Sequence, residues 1–321
     1  MAAKTSVIGF PRIGKNRELK FASEKYFKAE ISAEELEKTA EELRAYGWKK
    51  MSEAGITFIP SNDFSFYDNM LDTAFLLGAI PERYKALGLS PLETYFAAAH
   101  GYQGRAGDVK ALPMKKWFNT NYHYIVPELA DDMNITVSED NKALSEFNEA
   151  KSLGIKTVPS VIGPYTFLHL ATYTGEKKAE DFAEDFVNAY VQLARYLSAA
   201  GAECISFAEP ALVFDVTDDE KSLFVSIYKK LIAKLHSDAK IKISLQTYFG
   251  DIRDVYKEVC QLGFDAIGLD FVEGKKSLEL AESIFPENTL LLAGLVNGKN
   301  IWRADYQKKN EVLAKLSEKI D

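Results

Sequence analysis

Cysteine is almost missing from this 321-residue chain: there are two, Cys204 and Cys260. That is too few for a disulfide framework, and they lie too far apart for a CxxC redox or metal pair. The four histidines, His100, His123, His169 and His236, share no ligand-like spacing. No run approaches the roughly 18 apolar residues of a membrane span. The opening Met-Ala-Ala-Lys-Thr-Ser has no apolar signal core, and no low-complexity linker marks a domain boundary. Basic residues are also outnumbered, 39 Lys and Arg against 47 Asp and Glu, for a formal charge of −8. An acidic balance argues against nucleic acid or an anionic membrane as the main partner. These absences together predict a cytoplasmic protein.

Alternation of short apolar stretches with longer amphipathic ones fills the chain. Strands are expected at Val7–Phe10, 56–64, 117–124, 158–163, 204–207, 241–248, 266–271 and 290–295. Helices are expected between most of them, at 179–199, 218–235, 252–262 and 277–284. Ser32 with Glu35, Ser90-Pro91 with Glu93, and Thr217 with Glu220 are capping-box starts. About eight strands in β–α alternation predict an α/β fold, a (β/α)8 TIM-type barrel in a single domain over 1–321. An open doubly wound sheet is the alternative, but no G-x-G-x-x-G follows the first strand. Gly101 to Gly107 reads as a glycine-rich loop without the Lys-Ser/Thr ending of a phosphate loop.

Charge is uneven. Residues 1–28 carry seven Lys or Arg against two acids, a local +5 inside a −8 chain. The expected helix after Asn16 buries Leu19, Ala22, Ser23, Tyr26 and Phe27 and turns Arg17, Lys20, Glu24 and Lys28 outward. Its N-terminus, which also carries Lys15, Arg17 and Lys20, suits an anion. Plain solvation of an exposed face is the other reading of the same charges.

In a barrel, chemistry sits after the C-terminal ends of strands. Besides Arg12 and Lys15, the polar residues there are Ser61-Asn62-Asp63, Glu209, Gln246-Thr247-Tyr248, Asp270 and Asn297. Glu209 and Asp270 can be paired acid/base carboxylates of an autonomous aldolase- or isomerase-type enzyme, or structural carboxylates accepting backbone N–H bonds. Trp117, Phe118, Tyr122 and Tyr124 can stack on a flat ligand or belong to the core.

Two contiguous blocks carry a resemblance. Gly9-Phe10-Pro11-Arg12-Ile13-Gly14 with Arg17-Glu18-Leu19-Lys20, and Lys116-Trp117-Phe118-Asn119-Thr120-Asn121-Tyr122-His123-Tyr124, resemble the N-terminal half of cobalamin-independent methionine synthases. That family transfers a methyl group from 5-methyltetrahydropteroyl-polyglutamate to homocysteine. The resemblance implies a barrel that contributes to folate binding, with Arg17, Glu18, Leu19, Lys20 and Lys116 meeting the polyglutamate tail. Lys15, Arg12 and Asn119 stand second to these. It also implies that zinc and the catalytic residues belong to a C-terminal barrel of the same polypeptide, beyond residue 321, so this chain alone is expected to be inactive and to hold no cofactor. A noncatalytic module supporting a separately encoded methyltransferase is a further alternative.

Overall fold

The computed structural model describes residues 4–320. They fall into two compact units. The first runs to Val161 and takes in Ala171–Lys177 and Ala199–Ala202; the second comprises Ile162–Leu170, Lys178–Ser198 and the chain from Glu203 onward. The fold is α/β with parallel strands and covering helices, the class and barrel type that the alternating pattern predicts.

In the second unit four parallel strands lie side by side: Cys204–Ala208, Lys242–Gln246, Ala266–Asp270 and Leu290–Gly294. Pairing runs from Ser206 to Ser244 to Ala266 to Leu290, so one face alternates strictly with the other. Ile205, Phe207, Ile243, Leu245, Ile267 and Leu269 share a face and are buried. Helix Ala179–Ala199 buries Phe182, Phe186, Tyr190, Leu193 and Leu197, spaced three or four apart. Helix Asp218–Lys234 starts at the expected Thr217–Glu220 capping box. Among the described residues, Leu290–Gly294 is paired along one side only, with Ala266–Asp270, and Leu290 is 44% exposed.

In the first unit strand Ile59–Ser61 pairs in parallel with Thr157–Ile162. Helix Ala33–Glu53 begins at the Ser32–Glu35 box and helix Pro91–His100 at the Ser90–Glu93 box, both as expected. The aromatic core of this unit gathers Tyr84, Tyr95 and Phe96 with Leu36, Leu71 and Leu112.

Three expectations fail locally. Val7–Phe10 is not a strand. The chain meets its neighbour at one isolated Ser6–Phe58 bridge and then leaves, because the Phe10 N–H goes to the Asp63 carboxylate and Pro11 has no N–H to give. Nor is 117–124 one strand. It is a turn, closed by Trp117 N–H on Tyr122 O, between antiparallel strands Met114–Lys116 and His123–Ile125, and Phe118 sits at φ 49°. The glycine-rich stretch is likewise a hairpin, Tyr102–Gly104 against Gly107–Val109.

Candidate functional site

The predicted cationic opening folds as a loop followed by helix Glu18–Phe27, and its start differs from expectation. Arg17, not Asn16, is the cap residue; it is left-handed at φ 64° and makes no side-chain cap bond. Asn16 instead donates its N–H and side-chain amide to the Glu18 carboxylate, at 2.9 and 3.2 Å. The Glu18 carboxyl is held below its usual range, mainly by its own backbone N–H and that of Asn16. Gly14 makes this packing possible: it sits at φ +84°, and a Cβ there would lie 2.0 Å from Glu18 Oε2. The helix N-terminus therefore already holds an anion of its own, and Leu19 N–H is taken by Ile13 O. A ligand carboxylate would be met by side-chain cations rather than by free helix N–H groups.

Those cations are presented in different ways. Leu19 is buried at 3% exposure and anchors the helix, together with Ala22. Phe27, expected on the buried face, is 48% exposed and packs edge-on to Phe96 and His100. Lys20 is half-exposed, pairs with Glu24 at 2.7 Å and lies 5.1 Å over the Phe21 ring. Lys15 and Arg17 are exposed, while Arg12 is half-buried and spends one guanidinium N–H on Tyr67 O at 2.6 Å. Lys116 ends strand Met114–Lys116, exposed and directly across from His123; Asn119 is exposed in the turn.

Among the described residues no hydrogen bond or ion pair joins Arg17, Lys20 and Lys116. The connection runs through the segment after strand Ile59–Ser61. Asp63 Oδ2 accepts from Phe10 N–H at 2.8 Å, and Tyr67 O accepts from Arg12. Tyr67 hydroxyl donates to Met114 Sδ at 3.8 Å. Asp68 Oδ2 accepts from Ile125 N–H at 2.8 Å, while its Oδ1 caps helix Asn69–Leu76 through Leu71 N–H, also at 2.8 Å. One segment thus grips both sequence blocks. It is itself fixed from beneath: Asp72 accepts from Ser65 Oγ and Tyr95 Oη at 2.7 Å each, and Lys142 lies 3.2 Å from Asp72 and donates to Asn62 Oδ1 at 2.9 Å. Burial raises the Asp63 carboxyl to about 6 and that of Asp68 to about 7, against the pull of the backbone N–H groups they accept.

Sequence reasoning placed Asp63 at a strand end but missed Tyr67 and Asp68. A signal for Asp68 exists: an Asp followed three residues later by Leu71, opening a run in which Met70, Leu71 and Ala74 are buried, is a helix start.

In the second unit, Glu209 and Asp270 are both engaged by backbone N–H groups. Glu209 is fully buried and accepts from Tyr165 N–H at 3.0 Å, Thr166 N–H at 2.6 Å and Tyr228 hydroxyl at 2.6 Å. Asp270 Oδ1 accepts from Val272 and Glu273 N–H and its Oδ2 from Phe249 N–H. Both are thus used by the backbone, as the structural reading of these residues has it. Trp117 and Tyr124 are core residues packed edge to face at 5.5 Å, whereas Tyr122 is 73% exposed.

Metal chemistry finds no donor set among the described residues. Cys204 begins strand Cys204–Ala208 and burial pushes its thiol up to about 12; Cys260 lies in helix Tyr256–Gln261 and its thiol is also raised by burial. Among the described residues no group of three His, Cys, Asp or Glu side chains is placed to hold an ion. The resemblance assigns zinc to a C-terminal barrel and not to these residues. No helix among the described residues is long and apolar enough to cross a membrane.

The fold and these two blocks define an α/β barrel-type protein with a cationic surface tied to the end of one strand. The chain belongs to the family described as cobalamin-independent synthase, N-terminal domain, which matches residues 4–321. It is 54% identical over 318 residues to a 5-methyltetrahydropteroyltriglutamate–homocysteine methyltransferase of Streptococcus thermophilus, covering 98% of this chain and 42% of that protein. A protein of the same name from Lactococcus lactis is 54% identical over 322 residues, covering 100% and 42%. The chain therefore spans about two-fifths of the length of these relatives. Among solved structures, the Listeria monocytogenes protein titled a putative vitamin-B12 independent methionine synthase matches with TM-score 0.66 at 16% identity, over 98% of this chain and 85% of that one. A Shewanella B12-independent methionine synthase, in complex with selenomethionine, matches with TM-score 0.68 at 14% identity, over 91% and 80%. At those identities the likeness shows the fold.

Proposed function

We propose that this chain is the folate-polyglutamate-binding half of a methyltransferase that moves a methyl group from 5-methyltetrahydropteroyl-triglutamate to homocysteine. Its partner is a catalytic C-terminal barrel of the same polypeptide, which supplies zinc and the reacting groups. On its own the chain binds the folate tail and transfers nothing. It acts in the cytoplasm, a setting that suits its two free cysteines.

The observation that carries this reading is the +5 opening segment of a −8 chain, whose loop is bonded to the same Asp63–Asp68 segment as the hairpin bearing Lys116. A γ-linked glutamate tail is an extended row of carboxylates. Arg17, Lys20 and Lys116, with Lys15 behind them, offer charge-assisted hydrogen bonds to such a row. Lys20 would exchange its Glu24 partner for a tail carboxylate. Each exposed pair is worth only about 0.2–1 kcal/mol, so selectivity for a long tail needs several at once.

The test is calorimetric titration of the triglutamate and monoglutamate forms against wild type and Lys20→Ala/Lys116→Ala. Wild type should bind the triglutamate several-fold more tightly, with a preference that shrinks as salt rises, and the double variant should lose most of it. Equal affinity for the two ligands in wild type returns these lysines to the status of solvated surface charges.

A further inference from the structure

We infer that Asp68, seconded by Asp63, is a positioning residue of the tail site: it holds the Lys116 hairpin in register with the cationic opening loop. This rests on the reading just proposed and adds to it two buried carboxylates that touch no ligand.

Asp68 is buried, at 7% exposure, and uses both oxygens for different elements. Oδ1 caps the helix beginning at Asn69, a purely local role. Oδ2 reaches 57 positions along the chain to Ile125 N–H. Ile125 is paired with Met114, and two residues along the same ladder Lys116 faces His123. The ladder therefore places Lys116 two residues from the strand end that the Asp68 bond fixes. Tyr67, one residue before Asp68, adds the contact to Met114 Sδ and receives Arg12 on its carbonyl. Asp63 does for the other block what Asp68 does for the hairpin. It takes the N–H of Phe10, 53 positions away, and so replaces the sheet ladder that the loop has left. A helix cap alone requires one oxygen; the second bond is what a structural cap does not explain.

The two roles of Asp68 can be separated chemically. Asn is as good a helix cap as Asp, because its carbonyl oxygen still accepts from Leu71 N–H. Its other terminus is an NH2 donor, which cannot accept from Ile125 N–H. Asp68→Asn therefore keeps the helix and releases the hairpin.

The experiment compares wild type and Asp68→Asn in calorimetric titrations with 5-methyltetrahydropteroyl-triglutamate and its monoglutamate, with thermal melts alongside. The expected result is a triglutamate-to-monoglutamate affinity ratio at least threefold lower in the variant, with monoglutamate affinity unchanged. A lowered melting temperature with an unchanged ratio overturns the inference and leaves the proposed function intact. No preference in wild type overturns the proposed function, and the inference with it. Should the variant not fold, amide hydrogen exchange at Ile125 in wild type decides. Triglutamate should slow it at least threefold and monoglutamate should not; equal effects of the two ligands overturn the inference.

Discussion

Both units use a buried carboxylate after a strand to collect backbone N–H groups, and they use it to different ends. Glu209 follows strand Cys204–Ala208 and gathers Tyr165, Thr166 and Tyr228, residues that are themselves buried. Asp63 and Asp68 follow strand Ile59–Ser61 and reach out to a loop and a hairpin whose lysines face water. The chemistry is the same: a desolvated acid whose negative charge is spread over hydrogen-bond donors, with its pKa raised by burial. The difference lies in what hangs from the far end of the bonds. In one case it is core, so the device closes a fold; in the other it is surface, so the device aims side chains. A buried carboxylate at a barrel strand end is therefore a poor indicator of catalysis until its partners are known.

The contrast is broken most directly at two glycines. A Cβ on Gly163 would meet Glu209 Oε1 at 2.1 Å and Tyr228 hydroxyl at 2.6 Å, inside a packed core. Gly163→Ala should cost about 3 kcal/mol, seen as a lower midpoint in urea unfolding. A Cβ on Gly14 meets Glu18 Oε2, on a side chain that can swing into solvent, and Leu43 Cδ2 at 2.9 Å, so Gly14→Ala should cost about 1–2 kcal/mol, from its positive φ and a small shift of Leu43. Equal losses would mean that the two regions are equally rigid.

The next effect is in pH. Burial raises the Glu209 carboxyl to about 7, above its range in an unfolded chain. The folded state therefore binds the extra proton between about pH 4.5 and 7. Stability from this group is full below that window, falls as pH rises through it, and is level above it. Glu209→Gln does not titrate, so the wild-type advantage over it should shrink by roughly 2–3 kcal/mol between pH 4.5 and 7.5. Chemical denaturation at several pH values reads this directly. An advantage that grows with pH would mean that the N–H groups, not burial, dominate.

The smallest effect sharpens the comparison from the surface side. Arg17 is held left-handed, at φ 64° and ψ 35°, which costs a non-glycine residue about 1–2 kcal/mol. Arg17→Gly should relieve that strain at the cost of a more flexible unfolded chain, for a net gain of about 0.5 kcal/mol in thermal unfolding. The same variant should weaken triglutamate binding. Stability and binding moving in opposite directions would mark Arg17 as retained for its side chain; a loss of both would make it a structural residue.

Much of this was legible from sequence where local rules decide. All three capping boxes lie where Ser32, Ser90 and Thr217 place them, and helix Ala179–Ala199 keeps its predicted bounds. The strands of the second unit lie within three residues of their expected limits because each is a short apolar or alternating stretch between helices. The first unit was harder to read. Val7–Phe10 has a strand's composition, but its ladder is displaced by one side chain, Asp63, from a distant part of the chain. The block from Trp117 to Tyr124 alternates like a strand yet turns at Asn119, since the Trp117–Tyr122 backbone bond closes before the ladder can extend. In the candidate site, the cations of the opening segment were visible as a charge imbalance, and Lys116 only through the family resemblance. The acids that hold their scaffold were not read: the Asp68–Leu71 spacing marks a helix start, but nothing local marks the second bond of Asp68, to Ile125, 57 positions away.

Strand Leu290–Gly294 has a consequence for handling the protein. Along one side its N–H and C=O groups are taken by Ala266–Asp270; among the described residues nothing is paired along the other, and the strand is rich in leucine. An edge of that kind is a template for another strand, whichever molecule brings it. Loss of this chain from solution should therefore follow its concentration more steeply than its temperature. A charge at the exposed Leu290, as in Leu290→Lys, would lengthen the storage life of concentrated samples without altering the first unit, where the lysines are displayed.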